Sequence, residues 1–160
     1  MKNEESLKEL IRQGFAAMKA GSHVAKTTTD ATADVATNPK LKQALEDNEQ
    51  QSKEWAKRID RGLEEAGGAP EQRNLILEAA GETGKKTNEQ MPDDFSRDLG
   101  LIAIGQLALH YWISAFGTMV SYTTQAGLEQ ASKEMQTCLT EAKKSDERYT
   151  EIAKAILSAN

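Results

Sequence analysis

Residues 99–128 read LGLIAIGQLALHYWISAFGTMVSYTTQAGL and contain no Asp, Glu, Lys or Arg, although 28% of the whole chain carries formal charge. Residues in and just before this stretch recur at alternating steps of four and three, the spacing of one helix face. They are Phe95, Leu99, Ile102, Gln106, Leu109, Ile113, Phe116 and Val120. The other faces are apolar too, for example at Leu101, Ile104 and Trp112. A helix that is apolar nearly all round is surrounded by other helices or by lipid.

A membrane span is the alternative interpretation of this stretch, because about 20 apolar residues are enough to cross a bilayer. The stretch nevertheless contains Gln106, His110 and Ser114, and it lacks a flank enriched in Lys and Arg. We therefore interpret it as the central helix of a helical bundle that is soluble and does not contact a membrane.

The composition indicates a single all-α domain spanning residues 1–160. A net charge of −5 argues against nucleic acid as a partner. The first residues, MKNEES, show no apolar core of a signal peptide, and a single cysteine excludes an internal disulfide. We expect a cytoplasmic protein whose Cys138 is a buried, unreactive thiol on the inner side of the last helix.

Three further long helices are predicted around the central one. The first covers about residues 3–36, and the second has Asn38 as its N-cap, Pro39 at its first position and an end at the glycine pair 67–68. The last covers about residues 128–156. The basic residues of the second helix, from Lys53 to Arg61, are interleaved with acidic ones and are interpreted as charge pairs on a solvated face.

A shorter helix is predicted between the second and the central helix. It starts at Pro70, loosens around Gly81 and Gly84, and is followed by a polar connection over residues 85–90 and a second proline-led start at Pro92. Two helical hairpins joined by a long crossover with a short extra helix are the layout of a ferritin-like four-helix bundle.

Bundles of this layout bind two metal ions through inward glutamates and Glu-x-x-His pairs. No such pair exists in this chain, because Ala20 and Leu107 lie three residues before His23 and His110. The predicted inner positions are Gly21 or Ser22, Asn48, Ser52, Leu109 and Ala142. The seam between the helices therefore has no concentration of negative charge.

The segment ATNPKLKQA at residues 36–44 resembles the A-T-x-P-x-L-K-x-A signature of the YciE/YciF family of ferritin-like stress proteins. Further similar positions follow in the same order and spacing along essentially the whole chain. They are Arg97-Asp98, Leu101-Ile102-Ala103, Gln106, His110-Tyr111, Gly117-Thr118, Leu139-Thr140-Glu141, Asp146 and Ile152-Ala153.

The resemblance implies where a di-metal site would lie, and most of its ligands are missing here. The corresponding positions hold Ser22, Asn48, Gln51, Leu109, Trp112 and Ala142, and the remaining candidate ligands are His110, Glu141 and Asp146. Clustered carboxylates in a core repel one another and lose hydration, so neutral replacements favour a bundle that is stable without metal. We predict a degenerate site with no metal, no cofactor and no catalytic residues.

The first functional hypothesis is a non-enzymatic, stress-related bundle that acts through self-association, as a homodimer, or through contacts with another protein. Trp55 or Tyr122 is a candidate for the interface. The second hypothesis is a di-iron or mono-metal oxidoreductase that handles peroxide at a reduced site, formed by His110, Glu141 and Asp146 with Glu49. The third is a bundle that binds a small ligand in an apolar cavity lined by Leu109, Trp112 and Phe116.

Overall fold

The computed structural model describes residues 2–159, without the side chains of residues 2, 29–31 and 33. Its helices are α1 (Lys2–Ala33), α2 (Pro39–Glu65), α3 (Leu75–Gln90), α4 (Asp94–Gln125) and α5 (Glu129–Ser158), and no strand occurs among the described residues. Helices α1 and α2 form one hairpin, α4 and α5 form the other, and α2 packs against α5. The predicted ferritin-like arrangement is confirmed, with α3 in the crossover and packed on α4 and α1.

The start of α2 follows the sequence prediction. The Asn38 side chain accepts hydrogen bonds from the amides of Lys40 and Leu41 at 3.0 and 3.2 Å, and Pro39 occupies the first turn. The carboxylate of Asp98, only 3% exposed, accepts from the Thr37 amide and hydroxyl and from the Asn38 amide at 2.7–2.9 Å. A buried carboxylate with three donors is well satisfied, and here it fastens the α1–α2 connection to α4.

Helix α1 ends at Ala33, three residues before the predicted boundary at residue 36. The hydroxyls of Thr27, Thr28 and Thr32 donate to carbonyls of their own helix, a pattern that competes weakly with helix geometry. The amides just beyond, at Thr37 and Asn38, bind Asp98 instead of continuing the helix. Helix α1 therefore ends shortly before the connection that Asp98 binds.

The prediction that Pro70 opens a helix is wrong, because α3 begins at Leu75. Its N-cap is Asn74, whose side chain is 4% exposed and accepts from the Leu77 amide at 3.0 Å. The Asn74 amide group also donates to the Ala17 carbonyl and to the Tyr111 hydroxyl, at 3.0 and 2.6 Å. The start of α3 is thus set by a contact that joins three helices, which local sequence does not reveal.

Helix α3 also continues unbroken to Gln90, so the predicted loosening at Gly81 and Gly84 and the connection over 85–90 are wrong as well. A Cβ atom added at Gly84 would lie 2.9 Å from Cγ2 of Ile104. The glycine lets α3 approach α4 closely and does not interrupt the helix.

Helix α4 starts with Asp93 as its N-cap, which accepts from the Ser96 amide at 2.8 Å, so Pro92 precedes the cap rather than occupying the first turn. One side of α4 is buried, and the expectation that the helix is surrounded holds for that side only. The exposed positions of its outward side are Ala103, Leu107, His110, Ser114, Thr118 and Ser121. Among the described helices, α4 alone has the length and composition to cross a membrane, and 28% of its most apolar window is buried.

Candidate functional site at the bundle centre

The middle of the bundle is occupied by packed aromatic side chains. The ring centroid of Trp55 lies 6.1 Å from that of Trp112 and 5.2 Å from that of Phe116, and the last two rings stack at 5.3 Å. Leu109 and Ala142, at two of the positions where the resemblance implies metal ligands, are 5% and 0% exposed. Apolar side chains therefore fill this part of the bundle centre.

The polar side chains at the other positions where the resemblance implies ligands are neutral and hydrogen-bonded. Asn48 Nδ2 donates to the Tyr149 hydroxyl at 2.8 Å, and burial raises the pKa of Tyr149 to about 12. Gln51 Oε1 accepts from the Ser145 hydroxyl at 3.0 Å, and the Ser22 hydroxyl donates to the Met18 carbonyl at 3.2 Å. These groups carry no negative charge with which to offset that of a metal ion.

The residual candidate ligands separate into two places. His110 Nε2 lies 3.2 Å from Asp146 Oδ2, but the His110 side chain is 65% exposed and lies on the outside of α4. Glu141 Oε2 instead accepts from Trp55 Nε1 at 2.8 Å and from Arg58 Nη1 at 2.6 Å. Glu141 and Asp146 are five positions apart on α5, about 140° around the helix, and therefore contact different neighbours.

The residues present do not fit a di-metal centre. Within the described part of the chain, no three His, Cys, Asp or Glu side chains are grouped to hold a metal ion. The His110–Asp146 pair supplies two donors, fewer than the about three or four protein ligands of a typical site. Glu49, the other candidate, pairs with Lys53 at 2.6 Å.

A row of polar contacts between α2 and α5 was not predicted. In antiparallel register, Glu65 accepts from the Ala131 amide, Arg61 pairs with Glu134, and Arg58 pairs with Glu141. Arg58 and Arg61 thus form ion pairs between helices, whereas the sequence interpretation gave them partners on their own helix. These contacts could have been predicted from the sequence, because α2 and α5 carry opposite charges at positions that match when the two helices are antiparallel.

Cys138 and Trp55 are both buried. Cys138 is 0% exposed, and burial raises the pKa of its thiol to about 11, so the predicted buried thiol is confirmed. Trp55 is 4% exposed and hydrogen-bonded to Glu141, which makes its suggested role in an interface wrong. Tyr122, the other suggested interface residue, is half-buried.

A cavity of about 100 Å³ lies beside the aromatic residues. Leu109 and Trp112 line it as predicted, but Phe116 does not. Trp55, Asn48 and Tyr149 line it as well.

Known proteins resemble this chain in sequence and in fold. Residues 6–160 match the model of the family described as Domain of unknown function (DUF892). Protein YciF of Escherichia coli (strain K12) is 29% identical over 118 residues, which cover 72% of this chain and 71% of YciF. The crystal structure of the Escherichia coli stress protein YciF superposes with a TM-score of 0.92 at 22% identity, over 96% of this chain and 98% of that chain. YcfI of Rhodopseudomonas palustris superposes with a TM-score of 0.85 at 19% identity, over 90% of this chain and 92% of that chain.

Proposed function

This chain belongs to the DUF892 family, and we propose that it is a non-catalytic, metal-free bundle that acts under stress through self-association. The observation that carries the proposal is the content of the bundle centre. Trp112, Leu109 and Ala142 pack there as core, and Asn48 donates a hydrogen bond to Tyr149. These are positions where the resemblance to the ferritin-like stress proteins implies ligands. A centre filled in this way needs no metal for charge balance or for folding.

The name of a relative supports the stress-related part of the proposal. Escherichia coli YciF is described as a stress protein, and its fold is shared by this chain over nearly its full length. A bundle that is stable without a cofactor keeps its structure when metal supply fails, which suits a protein made under stress.

The outward side of α4 supports self-association. It is uncharged from Leu99 to its end, and Leu107 is 56% exposed on it. A chain of net charge −5 repels a second copy, and the repulsion is smallest where the surface carries no charge. Helix α4 has 32 residues and is about 48 Å long, so two copies paired along α4 would share a long, narrow interface.

The oxidoreductase hypothesis has less support. It needs Glu141 as a ligand, and that carboxylate already binds Trp55 and Arg58. The remaining pair, His110 and Asp146, lies on the surface and not at the bundle centre.

Sedimentation equilibrium of the full chain, with and without a chelator, tests the proposal. We expect a dimer whose dissociation constant is unchanged by the chelator. A monomer at high micromolar concentration contradicts the self-association, and a dimer that dissociates in chelator contradicts the metal-free assignment.

A further inference from the structure

We propose that the cavity at the bundle centre binds a small uncharged compound, a single aromatic ring or a molecule of similar size and polarity. The cavity of about 100 Å³ has walls from all five helices. Both tryptophans of the chain, Trp55 and Trp112, line it. This inference is independent of the proposed self-association, because the cavity lies inside one copy of the chain.

The size of the cavity sets the size of the ligand. The cavity of about 100 Å³ is a pocket that is partly open to solvent, so a small molecule can enter it from outside. An apolar cavity of roughly 150 Å³ holds benzene or xenon. Wall atoms beside an empty space lack dispersion partners, and a ligand of one ring supplies them.

The charge of the wall decides the class of ligand. None of the described residues that line the cavity is Asp, Glu, Lys, Arg or His, and burial raises the pKa of its one tyrosine, Tyr149, to about 12. An ion placed here would lose its hydration without gaining an opposite charge. Carboxylates, phosphates, ammonium groups and metal ions are therefore excluded, and neutral compounds are favoured.

Polar atoms on the wall give a preference among neutral compounds. Asn48 and Ser52 on α2 and Thr28 on α1 place amide and hydroxyl groups beside an otherwise apolar space. A primary amide has more donors and acceptors than the one bond from Asn48 to Tyr149 uses. A ring that carries one hydroxyl, such as phenol, can thus hydrogen-bond to the wall, and we expect it to bind more tightly than benzene.

Titration of the full-length protein with phenol, benzene and benzoate tests the inference. The tryptophan emission reports on the site directly, because Trp55 and Trp112 are the only tryptophans and both belong to the wall. We expect a saturable change with one phenol per chain, weaker saturable binding of benzene, and no saturation with benzoate, which has the same ring and a negative charge.

A cavity-filling variant separates the cavity from other surfaces. Ala108 lines the cavity, and Ala108→Leu is expected to weaken phenol binding at least about tenfold and to raise the melting temperature of the free protein. Ala115→Leu is the matched control, since Ala115 lies seven residues further along α4, is half-buried as well and does not line the cavity. Its phenol affinity is expected to stay within about twofold of the original.

If Ala108→Leu does not fold, Ala25→Leu on α1 fills the same space. Three results would overturn the inference: no saturable binding of either phenol or benzene, equal phenol affinity in the filled variant, or saturable binding of benzoate as tight as that of phenol.

Discussion

Asn48 and Tyr149 join α2 to α5 at the bundle centre through a hydrogen bond of 2.8 Å between the Asn48 amide and the Tyr149 hydroxyl. Tyr149 is 2% exposed, and a Cβ atom at Gly105 of α4 would lie 3.2 Å from its ring. The ring therefore packs against α4 while its hydroxyl faces α2. This neutral pair is part of a contact that joins α2, α4 and α5.

Asn48→Ala is expected to lower the free energy of unfolding by about 1–3 kcal/mol, because it leaves the buried Tyr149 hydroxyl without this partner. Urea denaturation measures the change. The Tyr149→Phe variant has no hydroxyl, so Asn48→Ala should lower the free energy of unfolding by less in that variant than in the original chain. Equal losses in both backgrounds would show that the hydrogen bond contributes nothing.

Glu141→Ala is expected to destabilise the protein by about 2–3 kcal/mol, since it removes the partner of a guanidinium and of a buried indole. The side chain of Arg58 is 20% exposed, which limits the water that can replace the carboxylate. Glu151→Ala is the control, because the Glu151–Lys154 pair is largely exposed and should change stability by less than about 0.5 kcal/mol. Similar losses in the two variants, measured by urea denaturation, would contradict the structural role of Glu141.

Stability is expected to fall at alkaline pH. Burial raises the pKa of Cys138 to about 11 and that of Tyr149 to about 12, so the native state holds these protons more tightly than the unfolded chain does. The unfolded thiol and phenol titrate near about 8.5 and 10, so the stability that these two groups contribute should be fully present below about pH 8 and should be lost as the pH rises through about 9 to 12.

Urea midpoints at about pH 8 and about pH 10.5 measure this decrease. Cys138→Ala lacks the thiol and is expected to lose less stability between these two values. A thiol reagent should also react with Cys138 in the native protein far more slowly than with the unfolded chain. Fast native-state reaction would contradict the burial of the thiol.

Leu107→Glu is expected to weaken self-association at least about tenfold, because it places two negative charges against each other in an α4 interface. Leu10→Glu is the matched control on α1, where Leu10 is 50% exposed and Leu107 is 56% exposed. Sedimentation velocity compares the two variants with the original chain. If the two substitutions weaken self-association equally, the interface does not lie on α4 or the effect is due to net charge alone.

The sequence predicted the helices whose limits are set locally. The pair Asn38-Pro39 fixed the start of α2, and the uncharged stretch 99–128 identified α4. The start of α3 depends on Asn74 reaching Ala17 and Tyr111, which are 57 and 37 residues away, and no local pattern carries that information. The membership in the YciE/YciF group that the short motifs indicated is confirmed by the family match over residues 6–160.

The candidate site was predicted less completely. The inward positions of Leu109 and Ala142 followed from helical periodicity, and both are buried, whereas Trp112, which the periodicity placed on another face of α4, is buried as well. The orientation of the Glu141 side chain could not be predicted, because its carboxylate accepts hydrogen bonds from Arg58 and Trp55, which lie on another helix. The place of His110 on the outside of α4 was equally hidden, since that helix has apolar residues on every face.

The metal content of the protein tests the central claim most directly. Protein purified from cells supplied with iron and manganese is analysed for bound metal and then titrated with Fe(II) without oxygen. We predict less than about 0.1 equivalent of metal and no shift of the melting temperature on titration, because a ligand that binds the folded state raises that temperature. A content of about two equivalents of metal, with a rise of the melting temperature on titration, would contradict the metal-free assignment and support the hypothesis of a metal-dependent oxidoreductase.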